Sequence, residues 1–320
     1  MEPEQTPVAP QEFEAAAAVA RRLAENISRA VQIRKETLEC VLVALLAEGH
    51  LLVEDYPGVG KTALARAVAR SIDCQFARVQ CTSDLLPADV VGTNVYDQRE
   101  QRFEFRPGPV FANVVLVDEI NRASPKTQSG LLECMQERCV TVDVQTHELA
   151  RPFLVLATQN PIEYEGTYPL PEAQVDRFMV RISLGYPSRG AEAEMLAEHE
   201  TGDRVLTLAP VATAAEILAA QDAATRLRAS EPLRDYIVRV LWRTREDPRV
   251  DLGASPRSGL MLLRAAKAHA MMQGRDHALP DDVQALAEPV LAHRLVIATD
   301  SPRAAAREVV ADAISSIRAL

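Results

Sequence analysis

The run Glu54-Asp55-Tyr56-Pro57-Gly58-Val59-Gly60-Lys61-Thr62 constrains this chain more than any other stretch, because of what flanks it. Leu51-Leu52-Val53 reads as a short buried strand, and residues 62–72 read as a helix with Leu64, Val68 and Ile72 along one face. A glycine-bearing loop between strand and helix, ending in Lys-Thr, suits phosphate. Backbone N–H groups and the helix N-terminus face the anion, Lys61 adds a point charge, and the Thr62 hydroxyl can ligate Mg2+. Tyr56, Pro57, Gly58, Val59, Gly60 and Ala63 complete the candidate nucleotide contacts around Lys61 and Thr62. The usual G-x-x-x-x-G-K-[ST] pattern opens on glycine, and that position is Asp55 here. A carboxylate is unfavourable beside phosphate, so Asp55 is expected to point away from it. The plainer reading is an ordinary glycine turn followed by a chance Lys-Thr.

Composition weighs on that choice. Lysine occurs only at Lys35, Lys61, Lys126 and Lys267, the rest of the positive charge being arginine, so a lysine in this loop is less readily a coincidence. A net charge of −10 over 320 residues argues against a domain-wide footprint for nucleic acid. Hydrophobic content of 48% with 25% charged residues fits a soluble chain long enough for two domains. The five cysteines (Cys40, Cys74, Cys81, Cys134, Cys139) show no metal-ligand spacing and read as reduced thiols of a cytoplasmic protein. No signal peptide and no membrane span are legible.

Along the chain, residues 1–12 read as disordered. Residues 15–31 read as an alanine-rich helix with Val19, Leu23 and Ile27 on one face, and 37–48 as a second helix with Gly49 as its C-cap. After the phosphate loop, further strands are expected at 76–80, 114–117, 153–157 and near 179–184. A short helical piece is expected at 84–90 and a helix at 125–137 with Ser124 as N-cap. Alternation at 96–105 and 140–149 predicts two hairpins. Apolar runs separated by helices imply a parallel sheet covered on both faces. Beyond Gly185-Tyr186-Pro187-Ser188 everything reads as helices, with a capping box at Thr213 and Glu216 and a helix from Ser255-Pro256 to Gly274. The division is a disordered 1–12, an α/β nucleotide-binding core over 13–185, and a helical lid over 186–320.

Hydrolysing a nucleoside triphosphate needs metal and phosphate ligands, a polarised water, and positive charge on the developing negative charge. Asp118 and Glu119, after four apolar residues, supply a candidate Mg2+ ligand and a candidate base for that water. Asn160, at the end of the next strand, could orient the same water. Read alone, Asp118-Glu119 is also a solvated turn and Asn160-Pro161 an ordinary one.

Taken together, the phosphate loop, Gly108-Pro109-Val110-Phe111, Asp118-Glu119-Ile120-Asn121-Arg122-Ala123, Ala157-Thr158-Gln159-Asn160-Pro161, and Glu165-Gly166-Thr167-Tyr168-Pro169-Leu170-Pro171-Glu172-Ala173-Gln174 with Asp176-Arg177-Phe178 resemble the MoxR family of AAA+ ATPases. The resemblance covers about residues 30–185; many members also lack the glycine at the Asp55 position. It implies a three-layer P-loop AAA+ core with a parallel sheet, followed by an all-helical lid. Lys61 and Thr62 match the Walker A ligands, Asp118 and Glu119 match Walker B, and Asn160 matches sensor 1. Arg177 matches the arginine finger presented to the ATP of a neighbouring subunit, against the plainer reading that it pairs with Asp176. Arg257 matches sensor 2 in the lid; a cation at a helix N-terminus is otherwise disfavoured. Arg122 and Arg151 are further candidates for interface arginines. Segments 83–111 and 138–151 match hairpins near the ring pore, where Tyr96, Phe103 and Phe105 either meet a client or pack in the core.

The implied activity is ATP hydrolysis with Mg2+ in a homo-oligomeric, hexameric ring. It serves chaperone-like maturation of protein complexes, with a protein client or a von Willebrand A domain partner. Two alternatives stay open. One is a nucleic-acid-remodelling motor, which the charge disfavours; the other is a nucleotide-gated scaffold with negligible turnover, which Lys61, Asp118 and Glu119 argue against.

Overall fold

The computed structural model describes residues 10–160, 167–186, 189, 190, 192, 204–299 and 302–318. Pro161, Glu165, Gly166, Pro187, Ser188 and the first nine residues lie outside them. Helix α1 (Pro10–Ser28) buries Val19, Leu23 and Ile27, the face its spacing predicts. It begins earlier than expected, so residues 10–12 belong to its first turn and not to a disordered N-terminus. Helix α2 (Lys35–Leu46) closes differently from the expectation. Its C-cap is Ala47, Glu48 takes the left-handed conformation at φ 54°, and the Gly49 N–H donates to the Ala44 carbonyl at 2.7 Å. That is a Schellman turn in which the left-handed residue is Glu48. Gly49 is needed instead for close approach, since a Cβ there would lie 2.5 Å from Met179.

Strand β1 (Leu51–Glu54) leads into α3 (Lys61–Ser71), then β2 (Phe76–Gln80) and the short α4 (Pro87–Val91). A hairpin of β3 (Gly92–Asp97) and β4 (Arg102–Pro107) precedes β5 (Val114–Asp118). Helix α5 (Pro125–Glu137) starts as expected, with the Ser124 hydroxyl accepting from the Thr127 N–H at 3.3 Å. The second hairpin, β6 (Cys139–Val142) and β7 (Gln145–Glu148), is followed by β8 (Leu154–Gln159), the one-turn α6 (Glu172–Val175) and β9 (Val180–Ile182).

Five of these strands form one parallel sheet in the order β2-β5-β8-β1-β9. Their side chains alternate between two cores, which is what three layers require. Leu51, Val53, Val114, Leu116, Leu154 and Leu156 face the first, with α1 to α3. Leu52, Val115, Val117, Val155 and Ala157 face the second, with α5. The two hairpins touch each other: Asn94 donates to Asp143 at 2.7 Å, and Phe105 stacks on His147 with centroids 3.9 Å apart. Phe105 is thus packed, whereas Tyr96 and Phe103 are exposed.

The described residues beyond β9 carry the helices α7 (Arg204–Thr207), α8 (Ala214–Arg226), α9 (Glu231–Glu246), α10 (Pro256–Met272), α11 (Pro280–Leu291) and α12 (Pro302–Ser315). Thr213 and Glu216 form the expected reciprocal cap, and Gly274, at φ 76°, follows α10. Helices α1 and α2 pack on α8 and α10, so the first core continues from the sheet into these helices. Cys40, Cys81 and Cys134 are buried free thiols whose pKa burial pushes up to about 12.

Candidate active site

Parallel strands end on one edge, and the chain reverses direction across β1, with β8 on one side and β9 on the other. In such sheets ligands bind at the C-terminal ends of the strands next to that switch point. The Lys61 loop follows β1, Asp118 ends β5 and Asn160 follows β8 there. Gly58 and Gly60 take φ of +84° and +92°, and a Cβ on either would meet nothing within 4 Å, so the loop presents an open cradle of backbone. Helix α3 begins at Lys61, leaving its first N–H groups directed at that cradle. Lys61 Nζ donates to the Asp55 and Tyr56 carbonyls at 3.1 and 3.2 Å.

Asp55 points away from the cradle, as expected. Its buried Oδ2 accepts from Gly185 N–H at 3.0 Å, from Ser183 Oγ at 3.2 Å and from the Leu184 N–H. Tyr56 stacks on Tyr186, with centroids 5.5 Å apart and rings 15° from parallel. Glu54 pairs with Arg181 at 3.4 Å and with Arg303 of α12 at 3.3 Å.

The carboxylate pair is built across three strands. Thr158 Oγ1 accepts from the Glu119 N–H at 2.8 Å and donates to Asp118 Oδ1 at 2.7 Å, which fixes the direction of its proton. Asp118 Oδ2 accepts from Arg78 at 2.6 Å. Glu119 adopts the left-handed conformation at φ 57°, ψ 51°, uncommon for a residue with a side chain. Its carboxylate accepts from Gln80 at 3.1 Å and pairs with Arg122 at 3.2 Å. Asn160 is buried at the end of β8. The Thr62 hydroxyl and the Asp118 carboxylate are hard oxygen donors, a set that fits Mg2+.

Arg177 is half-buried and is not the partner of Asp176. Asp176 instead pairs with Arg294 at 2.8 Å, while Arg257 lies 3.9 Å from its other oxygen. Arg294 also donates to the Phe178 and Met179 carbonyls, at 2.5 and 3.3 Å, and the neighbouring His293 ring bonds the Phe178 carbonyl at 3.1 Å. The turn after α11 therefore clamps the Asp-Arg-Phe segment. Of the two other arginines, Arg151 pairs with Glu48 at 3.2 Å, and Arg122 with Glu119 as above. Sequence reasoning assigned no role to Arg78, Gln80, Thr158 or Arg294. The two-residue spacing of Arg78 and Gln80 on a predicted strand was the one local signal that they share a face.

Residues 50–180 match the model of the ATPase family associated with various cellular activities (AAA), and residues 243–316 match an AAA lid domain. The chain is 49% identical to the uncharacterized protein YeaC of Bacillus subtilis, over 85% of each chain. It is 41% identical to the chaperone MoxR1 of Mycobacterium tuberculosis, over 86% of this chain and 75% of that one. With the protein MoxR of Methylorubrum extorquens it shares 33% identity over 87% and 88%. A crystal structure of a candidate ATPase from Cytophaga hutchinsonii superposes with a TM-score of 0.89 at 34% identity, covering 97% of both chains.

Proposed function

The chain belongs to the MoxR family of AAA+ ATPases, and from that premise we propose that it hydrolyses ATP in an oligomeric ring to drive chaperone-like remodelling of protein complexes. Residues 13–185 act as the nucleotide-binding core and 186–320 as the lid. Backbone N–H groups of residues 58–63 and Lys61 hold the phosphates, while Tyr56, Pro57 and Val59 shape the loop. Thr62 and Asp118 would hold Mg2+, which would supply positive charge against the negative charge that develops on the phosphates. Glu119 takes a proton from the water whose oxygen bonds to the γ-phosphorus as the bridging P–O bond to ADP breaks. Asn160 orients that water. Arg177 reaches the ATP of the neighbouring subunit, and Arg257 acts from the lid of the same subunit.

The observation that carries hydrolysis is the setting of Glu119. Its left-handed turn is fixed by Thr158, the hydroxyl that also holds Asp118, on the sheet edge that carries the Lys61 loop. A loop that only bound nucleotide would need no such placement of a second carboxylate. A ring, taken as hexameric, follows from an arginine finger that acts between subunits. The exposed Tyr96 and Phe103 on the first hairpin face a protein client or a partner with a von Willebrand A domain. The test is steady-state ATP turnover of wild type, Glu119→Gln and Arg177→Ala across protein concentration. Turnover per chain should rise as rings assemble and collapse in both variants. Absent turnover, or turnover unchanged in both, refutes the assignment.

A further inference from the structure

Both carboxylates of the pair are engaged from β2. Arg78 and Gln80 are two residues apart, so their side chains leave the same face of the strand, and Gln80 lies opposite Asp118 in register. One guanidinium nitrogen, Arg78 Nη2, reaches Asp118 Oδ2 at 2.6 Å and Gln80 Oε1 at 2.8 Å. The Gln80 amide then donates to Glu119 at 3.1 Å.

The two oxygens of Asp118 are therefore taken by different kinds of partner. Oδ1 is bound by Thr158, which is fully buried, whereas Oδ2 is bound by a side chain 48% exposed. A divalent cation needs at least one of these oxygens. Thr158 cannot leave without losing its hold on the Glu119 backbone, while Arg78 can swing into solvent at small cost. A guanidinium and a divalent cation on one carboxylate oxygen repel each other, so the two compete for Oδ2.

We propose that Arg78 is the resident counter-ion of Asp118, a positioning residue that holds the carboxylate before metal arrives and yields Oδ2 to the divalent cation. This rests on the nucleotide-site reading above. Arg78 thereby raises the metal concentration at which the site fills. Because Arg78 also holds Gln80, its release loosens one of the contacts on Glu119.

The experiment titrates Mn2+ into the full chain, counting free Mn2+ from its paramagnetic resonance signal, with and without saturating ADP. Wild type, Arg78→Ala, Arg78→Lys and Asp118→Asn are compared, and ADP affinity is measured separately in EDTA. Arg78→Ala should fill with Mn2+ at about two- to fivefold lower concentration than wild type, as loss of a partly exposed ion pair dictates. Arg78→Lys should stay near wild type, Asp118→Asn should bind Mn2+ more weakly, and ADP affinity in EDTA should not change on removing Arg78. A midpoint for Arg78→Ala equal to or above that of wild type overturns the proposal alone. If wild type binds no ADP, the nucleotide reading fails with it.

Discussion

The Asp55 carboxylate accepts a hydrogen bond from the Gly185 N–H at 3.0 Å, joining the first residue of the phosphate loop to the segment that leaves β9. Ser183 and Leu184 bind the same oxygen. Where the commoner motif has glycine, this chain has a buried anchor between the loop and residues 183–185 after β9. Restoring the commoner residue should therefore harm the protein. Asp55→Gly leaves two backbone N–H groups and a hydroxyl short of their acceptor, a loss of about 2–3 kcal/mol. Urea unfolding measures it. Affinity for ADP should fall much less, because the cradle is backbone; a variant as stable as wild type would show that the carboxylate anchors nothing.

Asp176 is committed to Arg294, which leaves Arg177 available to act on a neighbour. Arg177→Ala should keep nucleotide binding and lose turnover by about 10³-fold or more, the scale of arginine fingers elsewhere. Lys61→Ala should lose nucleotide binding. Mixed in equal amounts, the two inactive variants should recover on the order of a quarter of wild-type turnover, since one supplies the loop and the other the arginine at a random interface. No recovery from mixtures that do assemble would place the action of Arg177 within its own chain.

Arg294 is the deepest charge in the clamp, with a side chain only 2% exposed. Removing one partner of a buried pair strands the other, so Arg294→Met should cost about 3–5 kcal/mol. Arg294→Lys should recover little, because an ammonium cannot span the carboxylate and two carbonyls as the planar fork does. Thermal melting of the three proteins decides it: a lysine variant melting with wild type would mean that charge alone is required.

The sheet, the Lys61 loop and the Asp118-Glu119 pair were legible because each rests on local pattern: apolar runs for buried strands, glycines where φ must be positive, carboxylates at a strand end. The partners of those residues were not. Arg78 meets Asp118, and Arg294 meets Asp176, across 40 and 118 positions of sequence, and no local period encodes such pairs. Gly49 misled for a related reason. Glycine is the usual left-handed cap, yet here Met179 crowds it and Glu48 takes the turn. The plainer alternative for Arg177, a pairing with Asp176, rested on adjacency, and Arg294, far along the chain, takes that place.

His50 sets a pH dependence that reads the packing at the other end of the sheet. Its Nδ1 accepts from the Val155 N–H at 3.0 Å, so its proton is on Nε2, facing the Met135 carbonyl at 3.0 Å. A second proton on Nδ1 would face an N–H donor inside the core. Burial lowers the pKa of His50 to about 4 and holds that of His293 well below its ordinary value. As pH falls below about 6.5 the unfolded chain therefore takes up protons that the folded chain refuses. The stability of the neutral imidazoles is fully present above that pH and is lost as pH falls through the window towards 4, by about 1.4 kcal/mol per unit for each ring. His50→Asn keeps an acceptor for Val155 and does not titrate there. It should be less stable than wild type at pH 7.5, yet lose stability more slowly between pH 6.5 and 5 in urea unfolding. A variant with the wild-type slope would mean that His50 takes up its proton in the folded state as readily as in the unfolded one.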